Sequence, residues 1–210
     1  MEIKLDSTYK GTRILFGNKA KQKRDLLNKM MDILYSYGYE EMIIPVIQLS
    51  STFASKVGKE NNNMMYNFKD LGDRDLCLAP EYTAIVQQMS TSIFKYKKDI
   101  KLFYIGECFR GEKPQAGRYR QFTQFGIEII NPSKDYLEVM IELSKELTEV
   151  VTENYEMNPI AVRGLDYYKG AGFEISCPDL GSSKQVCGGG SYEGGIGFAL
   201  GIDRLLMLIK

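Results

Sequence analysis

Histidine and tryptophan are both missing from this 210-residue chain, and its four cysteines never fall in a CxxC pair. Without histidine there is no Ser-His-Asp or Cys-His nucleophile, and without histidine or paired cysteine the usual zinc ligand sets are missing too. Cys77, Cys108, Cys177 and Cys187 are scattered, each in or beside an apolar segment that reads as strand, so they are expected to be reduced core residues. Charge of one sign is not in excess: Lys plus Arg and Asp plus Glu number 27 each. The chain as a whole therefore lacks the basic surplus of a nucleic-acid-binding domain. No apolar run approaches membrane-spanning length and MEIKLDSTYK has no signal-peptide core, which sets a cytoplasmic location and no membrane partner as the expectation. A P-loop GxxxxGK[ST] does not occur, and Gly195 to Gly201 lacks the third glycine at dinucleotide-fold spacing. Chemistry must then run on arginine, carboxylate, tyrosine and a soluble metal ion.

What is present suits a globular chain able to bury a core, with 44% hydrophobic and 26% charged residues. Lys19 to Tyr37 carries Leu26, Leu27, Met30, Met31, Ile33 and Leu34 at mostly helical spacing and reads as an amphipathic helix ending near Gly38. Tyr39 to Ile47 reads as a strand that leaves its sheet at Pro45. Tyr66 to Leu78 predicts two short strands around Leu71-Gly72-Asp73, and Glu81 to Met89 a helix capped by Pro80. Ser133 is the expected N-cap of a helix whose apolar stripe is Tyr136, Met140, Leu143, Leu147 and Val151. Short strands follow from Pro159, and Gly195 to Ile209 reads as a glycine-rich apolar helix. This order predicts a mainly antiparallel sheet with helices packed on it, an α+β fold in one domain over residues 1–210.

The most informative stretch is Phe109 to Glu128, FRGEKPQAGRYRQFTQFGIE. Tyr104 to Glu112 and Gln121 to Ile130 read as the strands of a hairpin, joined by a connection with Pro114, Gly117 and the cations Lys113, Arg118 and Arg120. Arg110 is expected on a rigid strand, with Arg118 and Arg120 on a loop able to close over phosphates. Gly188 to Gly190 is expected to make a tight turn, its missing side chains letting backbone approach a ligand.

This stretch resembles motif 2 of class II aminoacyl-tRNA synthetases, in the histidyl-tRNA synthetase version. YGYEEMIIPVI, residues 37–47, resembles motif 1. RGLDYY at 163–168, continued by Phe173-Glu174, resembles the histidine-specific signature. CGGGSYEG at 187–194 resembles the second signature, and GFALGIDRL at 197–205 resembles motif 3. The segments stand in the family's order.

The resemblance implies ATP-dependent activation of histidine to histidyl-adenylate, with Mg2+, in a homodimer built around motif 1. It implies that Arg110 contacts the α-phosphate with Glu112 as the nearby acid, that Arg118 belongs to the ATP-binding set, that Phe122 stacks on adenine and that Arg204 lies on the other side of the nucleotide. Arg163 matches the extra arginine beside the reacting carboxylate and α-phosphate. Glu81 and Thr83, in PEYT, match the element receiving the ammonium group, with Gln124 in the same pocket. Glu128 and Tyr167 match the pair that reads the imidazole, and Tyr168 belongs to the same signature.

The pattern also departs from the family. Glu128 and Arg163 are separated by 34 residues where the family carries a helical insertion domain, and the sequence stops at Lys210 where the family continues into an anticodon-binding domain. Ala79 and Ser191 stand in place of family arginines, and Glu193 in place of an aspartate. These losses touch tRNA contacts more than activation, so tRNA binding is expected to be weak, salt-dependent and carried by Lys113, Arg118 and Arg120. The acceptor stays open among tRNA, a protein and a small molecule. A non-catalytic histidine-binding regulator, like the synthetase-like subunit of ATP phosphoribosyltransferase, is the alternative.

Overall fold

The computed structural model describes residues 8–54, 56, 63–161, 167–170, 172–181 and 183–209. The first helix, α1 (Gly17–Ser36), buries Leu26, Leu27, Met30 and Leu34 and stops where Gly38 turns the chain with φ +74°. Two residues, β1 (Glu40–Glu41), then pair parallel with Leu102 and Phe103. As expected, the chain has left this sheet by Pro45, since proline cannot donate to a ladder, and beyond it joins a second sheet as β2 (Ile47–Leu49). That sheet is completed by β3 (Asn67–Lys69) and β4 (Asp75–Leu78) in the order β2-β4-β3.

Helix α2 (Thr83–Thr91) follows. Its first N–H groups are held by the carboxylate of Glu81, which accepts from Thr83 N at 2.7 Å and Ala84 N at 2.9 Å. A proline has no side-chain acceptor, so the cap expected from Pro80 comes from its neighbour.

The main sheet is built on the hairpin β5 (Ile100–Phe109) and β6 (Gln121–Ile130). Helix α3 (Leu137–Glu149) and strands β7 (Glu156–Ala161), β8 (Gly172–Ser176), β9 (Gln185–Tyr192) and β10 (Gly195–Gly201) follow, then α4 (Ile202–Leu208). The order is β1-β5-β6-β10-β9-β8-β7, antiparallel except for β1. Two sequence expectations fail here. Ser133 does not cap α3; its N–H and hydroxyl donate to Asp99, and Asp135 accepts from Leu137 N instead. Gly195 to Gly201 is strand, not helix, because only its alternate residues Ile196, Phe198 and Leu200 face the core.

Period-two alternation gives the sheet two different faces. Phe103, Phe125, Ile127, Ile129, Phe173, Ile175, Phe198 and Leu200 point into a core covered by α1 and α3, through Met30, Leu34, Met140 and Leu147. The intervening residues of β6, Gln124, Gly126 and Glu128, point the other way, toward α2 and a cluster of Tyr82, Val86, Leu102 and Tyr104. The four cysteines are free and buried, as their apolar settings suggest. Among the described residues no helix is long and apolar enough to cross a membrane.

Candidate active site

On the α2 side of the sheet lies a cavity of about 390 Å³. Of the candidate residues it brings together Glu81, Thr83, Arg110, Glu112, Arg118, Phe122, Gln124, Tyr167, Tyr168 and Arg204. Glu128 sits just behind this wall, and Arg163 lies outside the described residues.

One end is cationic. Arg110 lies one residue past β5 rather than on it, yet the ladder still holds it: its N–H donates to Arg120 O at 2.9 Å. Its Nε donates to Pro80 O at 2.9 Å and its guanidinium lies 5.2 Å from the Phe122 ring centroid. Arg118 pairs with Glu112, whose other oxygen is 4.0 Å from Arg110. One buried carboxylate thus stands between two guanidiniums. Arg204 donates through Nε to Gly117 O at 2.8 Å and through Nη1 to Gln185 O. Burial, then the nearby charge of Arg118, pulls the Arg204 pKa below its ordinary value, so an anion arriving here is favoured by both guanidiniums.

Arg120 has a different part from the one expected of it. Its guanidinium lies 4.9 Å from the Tyr9 ring centroid and donates to Glu112 O and Lys10 O, each at 3.0 Å. It fastens the loop rather than projecting from it.

The other end is acidic and hydroxyl-rich. Glu81 caps α2 and accepts from the Tyr167 hydroxyl at 3.3 Å. Glu128, 1% exposed, accepts from Thr83 Oγ1 at 2.9 Å and from the Tyr192 hydroxyl at 3.0 Å. Burial raises the Glu81 pKa and pushes that of Glu128 up to about 8, while the Thr83 and Tyr192 hydrogen bonds oppose the rise. Burial also drives the Tyr167 and Tyr192 hydroxyls well above their ordinary range, so they remain donors. Gln124 lies between the ends, donating to the Tyr104 hydroxyl at 3.2 Å and accepting from Cys108 at 2.9 Å.

Glycines make the space for this end. A Cβ on Gly197 would fall 1.7 Å from Glu128 Oε2, and one on Gly126 would fall 2.0 Å from the Tyr104 ring. Gly188 to Gly190 run as extended strand in β9, correcting the expected turn; a Cβ on Gly189 would meet Phe198 Cβ at 2.5 Å.

Sequence reasoning missed several residues. Tyr192 is in the second signature, two residues beyond its glycines. Tyr119 borders the cavity, as does Glu174, which the first histidine signature contained without a role being assigned to it. Asp203 precedes Arg204 and accepts from Thr123 N. An acid directly before a motif arginine was the available signal for Asp203; nothing local marked Tyr192 as the partner of Glu128, 64 residues away.

An antiparallel sheet with helices packed on it and this cavity on one face is the fold of class II aminoacyl-tRNA synthetases. The apo histidyl-tRNA synthetase of S. aureus superposes with a TM-score of 0.78 at 28% identity, over 96% of this chain and 69% of that one. The histidyl-tRNA synthetase family model matches residues 11–153, and the chain belongs to that family. The histidine–tRNA ligase of Clostridioides difficile is 29% identical over 313 aligned positions, covering 96% of this chain and 74% of its own length. Many of those positions have no counterpart in 210 residues, in keeping with the short path from Glu128 to Arg163. A Bacillus halodurans protein described as an ATP phosphoribosyltransferase regulatory subunit/histidyl-tRNA synthetase shares the fold alone, with a TM-score of 0.78 at 14% identity over 100% of this chain and 84% of that one.

The buried acid has a measurable signature. A carboxyl group whose pKa rises from 4.5 to about 8 on folding holds its proton more tightly in the folded state. Its contribution to stability is complete below the unfolded value and is lost as pH rises through about 8. Thermal melts of the unliganded protein are therefore expected to fall between pH 5 and 8.5, and Glu128→Gln to flatten that fall. An unchanged pH slope in the variant would mean that Glu128 is ionised throughout.

Proposed function

We propose that this chain activates histidine with ATP, forming histidyl-adenylate and pyrophosphate. The observation that carries the reading is the polarity of one cavity, with Arg110, Arg118 and Arg204 at one end and Glu81 at the other, where Glu128 stands behind the wall and accepts from Thr83 of its lining. A ligand pair with phosphates on one side and an ammonium and imidazole on the other complements that arrangement.

In the reaction a histidine carboxylate oxygen bonds to the α-phosphorus as the bond from phosphorus to the bridging oxygen breaks, and pyrophosphate leaves with that electron pair. Charge grows on the phosphoryl oxygens during this exchange. Fixed guanidiniums are the groups that stabilise it without reorganising. Arg110, held by Pro80 O beside the Phe122 ring, takes the α-phosphate by its match to motif 2, and Arg163 takes a second such role by its match to the family signature. Phe122 offers a face for adenine with Arg204 on the opposite side. Glu81 and Thr83 receive the ammonium group beside Gln124. Glu128 and Tyr167, backed by Tyr168, discriminate the imidazole.

Magnesium would supply further charge neutralisation. Among the described residues no three His, Cys, Asp or Glu groups come together as a metal site. An ion here would be held chiefly through nucleotide phosphates and water, with Glu112 and Glu174 among the carboxylates that border the cavity.

The test is ATP–pyrophosphate exchange with each amino acid in turn, followed by charging of purified tRNA. Histidine-dependent exchange is expected, and Arg110→Ala should lower its rate by about 10²–10³, the usual cost of losing one fixed donor to developing charge. Histidine binding without exchange would support the regulatory alternative; exchange without charging would point to an acceptor other than tRNA.

Apolar side chains are left uncovered in and beside the second sheet: Ile43, between β1 and β2, is 88% exposed, Ile47 of β2 55% and Leu71, in the turn between β3 and β4, 110%. Ile43 and Ile47 belong to the motif 1 segment, and their exposure supports the homodimer that the family resemblance implies. Sedimentation at micromolar concentration is expected to give about twice the 23.9 kDa chain mass. A monomeric mass would contradict the interface.

A further inference from the structure

The segment Tyr9–Arg13 belongs to none of the motifs, yet it runs along the loop that carries Arg118 and is fastened to it at several points. Gly11 O accepts from Arg120 N at 2.8 Å and Lys10 O from the Arg120 guanidinium at 3.0 Å, with Tyr9 beneath that same guanidinium. Gly11 has φ +93°, and a Cβ there would lie 2.9 Å from both Arg120 Cγ and Pro114 Cγ. Only a residue without a side chain lets the two segments approach this closely.

Arg13 makes the decisive contacts. Its guanidinium stacks 3.6 Å above the Tyr119 ring, next to Arg118, and also pairs with Asp203. Asp203 is 6% exposed, and its second oxygen accepts from Thr123 N at 2.5 Å. Thr123 stands between Phe122 and Gln124, and Asp203 directly precedes Arg204. One side chain from the segment before α1 therefore joins the loop bearing Arg118, the start of β6 bearing Phe122 and the start of α4 bearing Arg204. These are three of the elements that border the cationic end of the cavity, Arg110 just past β5 being held separately by Pro80. A flat guanidinium can pair with a carboxylate in its plane while stacking on a ring through its face; an ammonium can do only the first.

We infer that Arg13 is a positioning residue for nucleotide binding, acting through Asp203 and Tyr119 to set Phe122, Arg118 and Arg204 against one another. This rests on the adenylate-forming reading for its kinetic consequence, but not for its structural one. Arg13 borders the neighbouring cavity on the far side of Asp203 rather than the candidate site, so it has no direct contact to make with the activated amino acid.

The experiment compares Arg13→Ala and Arg13→Lys with the unaltered protein in two measurements. Hydrogen exchange of the unliganded protein reads the amides of residues 117–123. Exchange kinetics and calorimetry read KM for ATP and the affinity for histidine. Arg13→Ala is expected to speed amide exchange at 117–123, to raise KM for ATP at least ~10-fold, the scale of one lost charge-assisted hydrogen bond, and to leave histidine affinity within about twofold. Arg13→Lys, keeping the charge and losing the stack, should fall between. Unchanged amide exchange in both variants would overturn the inference. So would parallel losses of ATP and histidine binding, which mark a general effect on folding. If the unaltered protein has no exchange activity with any amino acid, the proposed function fails, while the amide measurement still decides whether Arg13 holds the loop.

Discussion

Glu128 lies on a central strand with its carboxylate in the gap left by the missing side chain of Gly197, sealed from solvent and held by two hydroxyls. An uncompensated carboxylate in such a place would be too costly to ionise, and the upward shift of its pKa is the direct expression of that cost. Its neighbours follow from the need to satisfy it. Thr83 must come from the start of α2, which Glu81 fixes by capping the helix. Tyr192 must come from the end of β9, which requires β10 to lie between β9 and β6. The order of the central strands and the placement of α2 thus converge on one acidic group.

The opposite end of the cavity obeys a different constraint. Three guanidiniums held near one buried carboxylate repel one another, and two are restrained by backbone carbonyls, Arg110 by Pro80 and Arg204 by Gly117 and Gln185, while Arg118 is held by its pair with Glu112. Such restraint keeps positive charge in place before any ligand arrives, which is what stabilisation of developing negative charge demands. The segment Tyr9–Arg13 adds a second layer by tying the elements that carry these residues to one another.

Much of this was legible in the sequence because the relevant signals are short in range. The hairpin β5–β6 followed from alternation, α1 from its apolar spacing, and the cavity residues from motifs that each occupy a few adjacent positions. What escaped were features decided by contacts distant along the chain. The apolar glycine-rich run at Gly195 resembles a helix in composition and becomes a strand because β6 and β9 flank it. Ser133 has the chemistry of a cap, but Asp99 offers it a stronger partner. Arg120 has the chemistry of a phosphate ligand, but Tyr9 and two carbonyls reach it first. The pairing of Tyr192 with Glu128 and of Arg13 with Asp203 has no local signature at all, since each joins residues on separate elements.

In the proposed function the acidic end of the cavity reads a histidine side chain while the cationic end binds nucleotide independently of it. Calorimetric titration of histidine and of ATP into the unaltered protein and into Glu128→Ala tests this most directly. The account predicts that histidine binds more tightly than leucine to the unaltered protein, and that the variant loses at least ~1–3 kcal/mol of histidine affinity with ATP affinity nearly unchanged. Histidine binding no tighter than leucine, or equal losses for histidine and ATP in the variant, would contradict it.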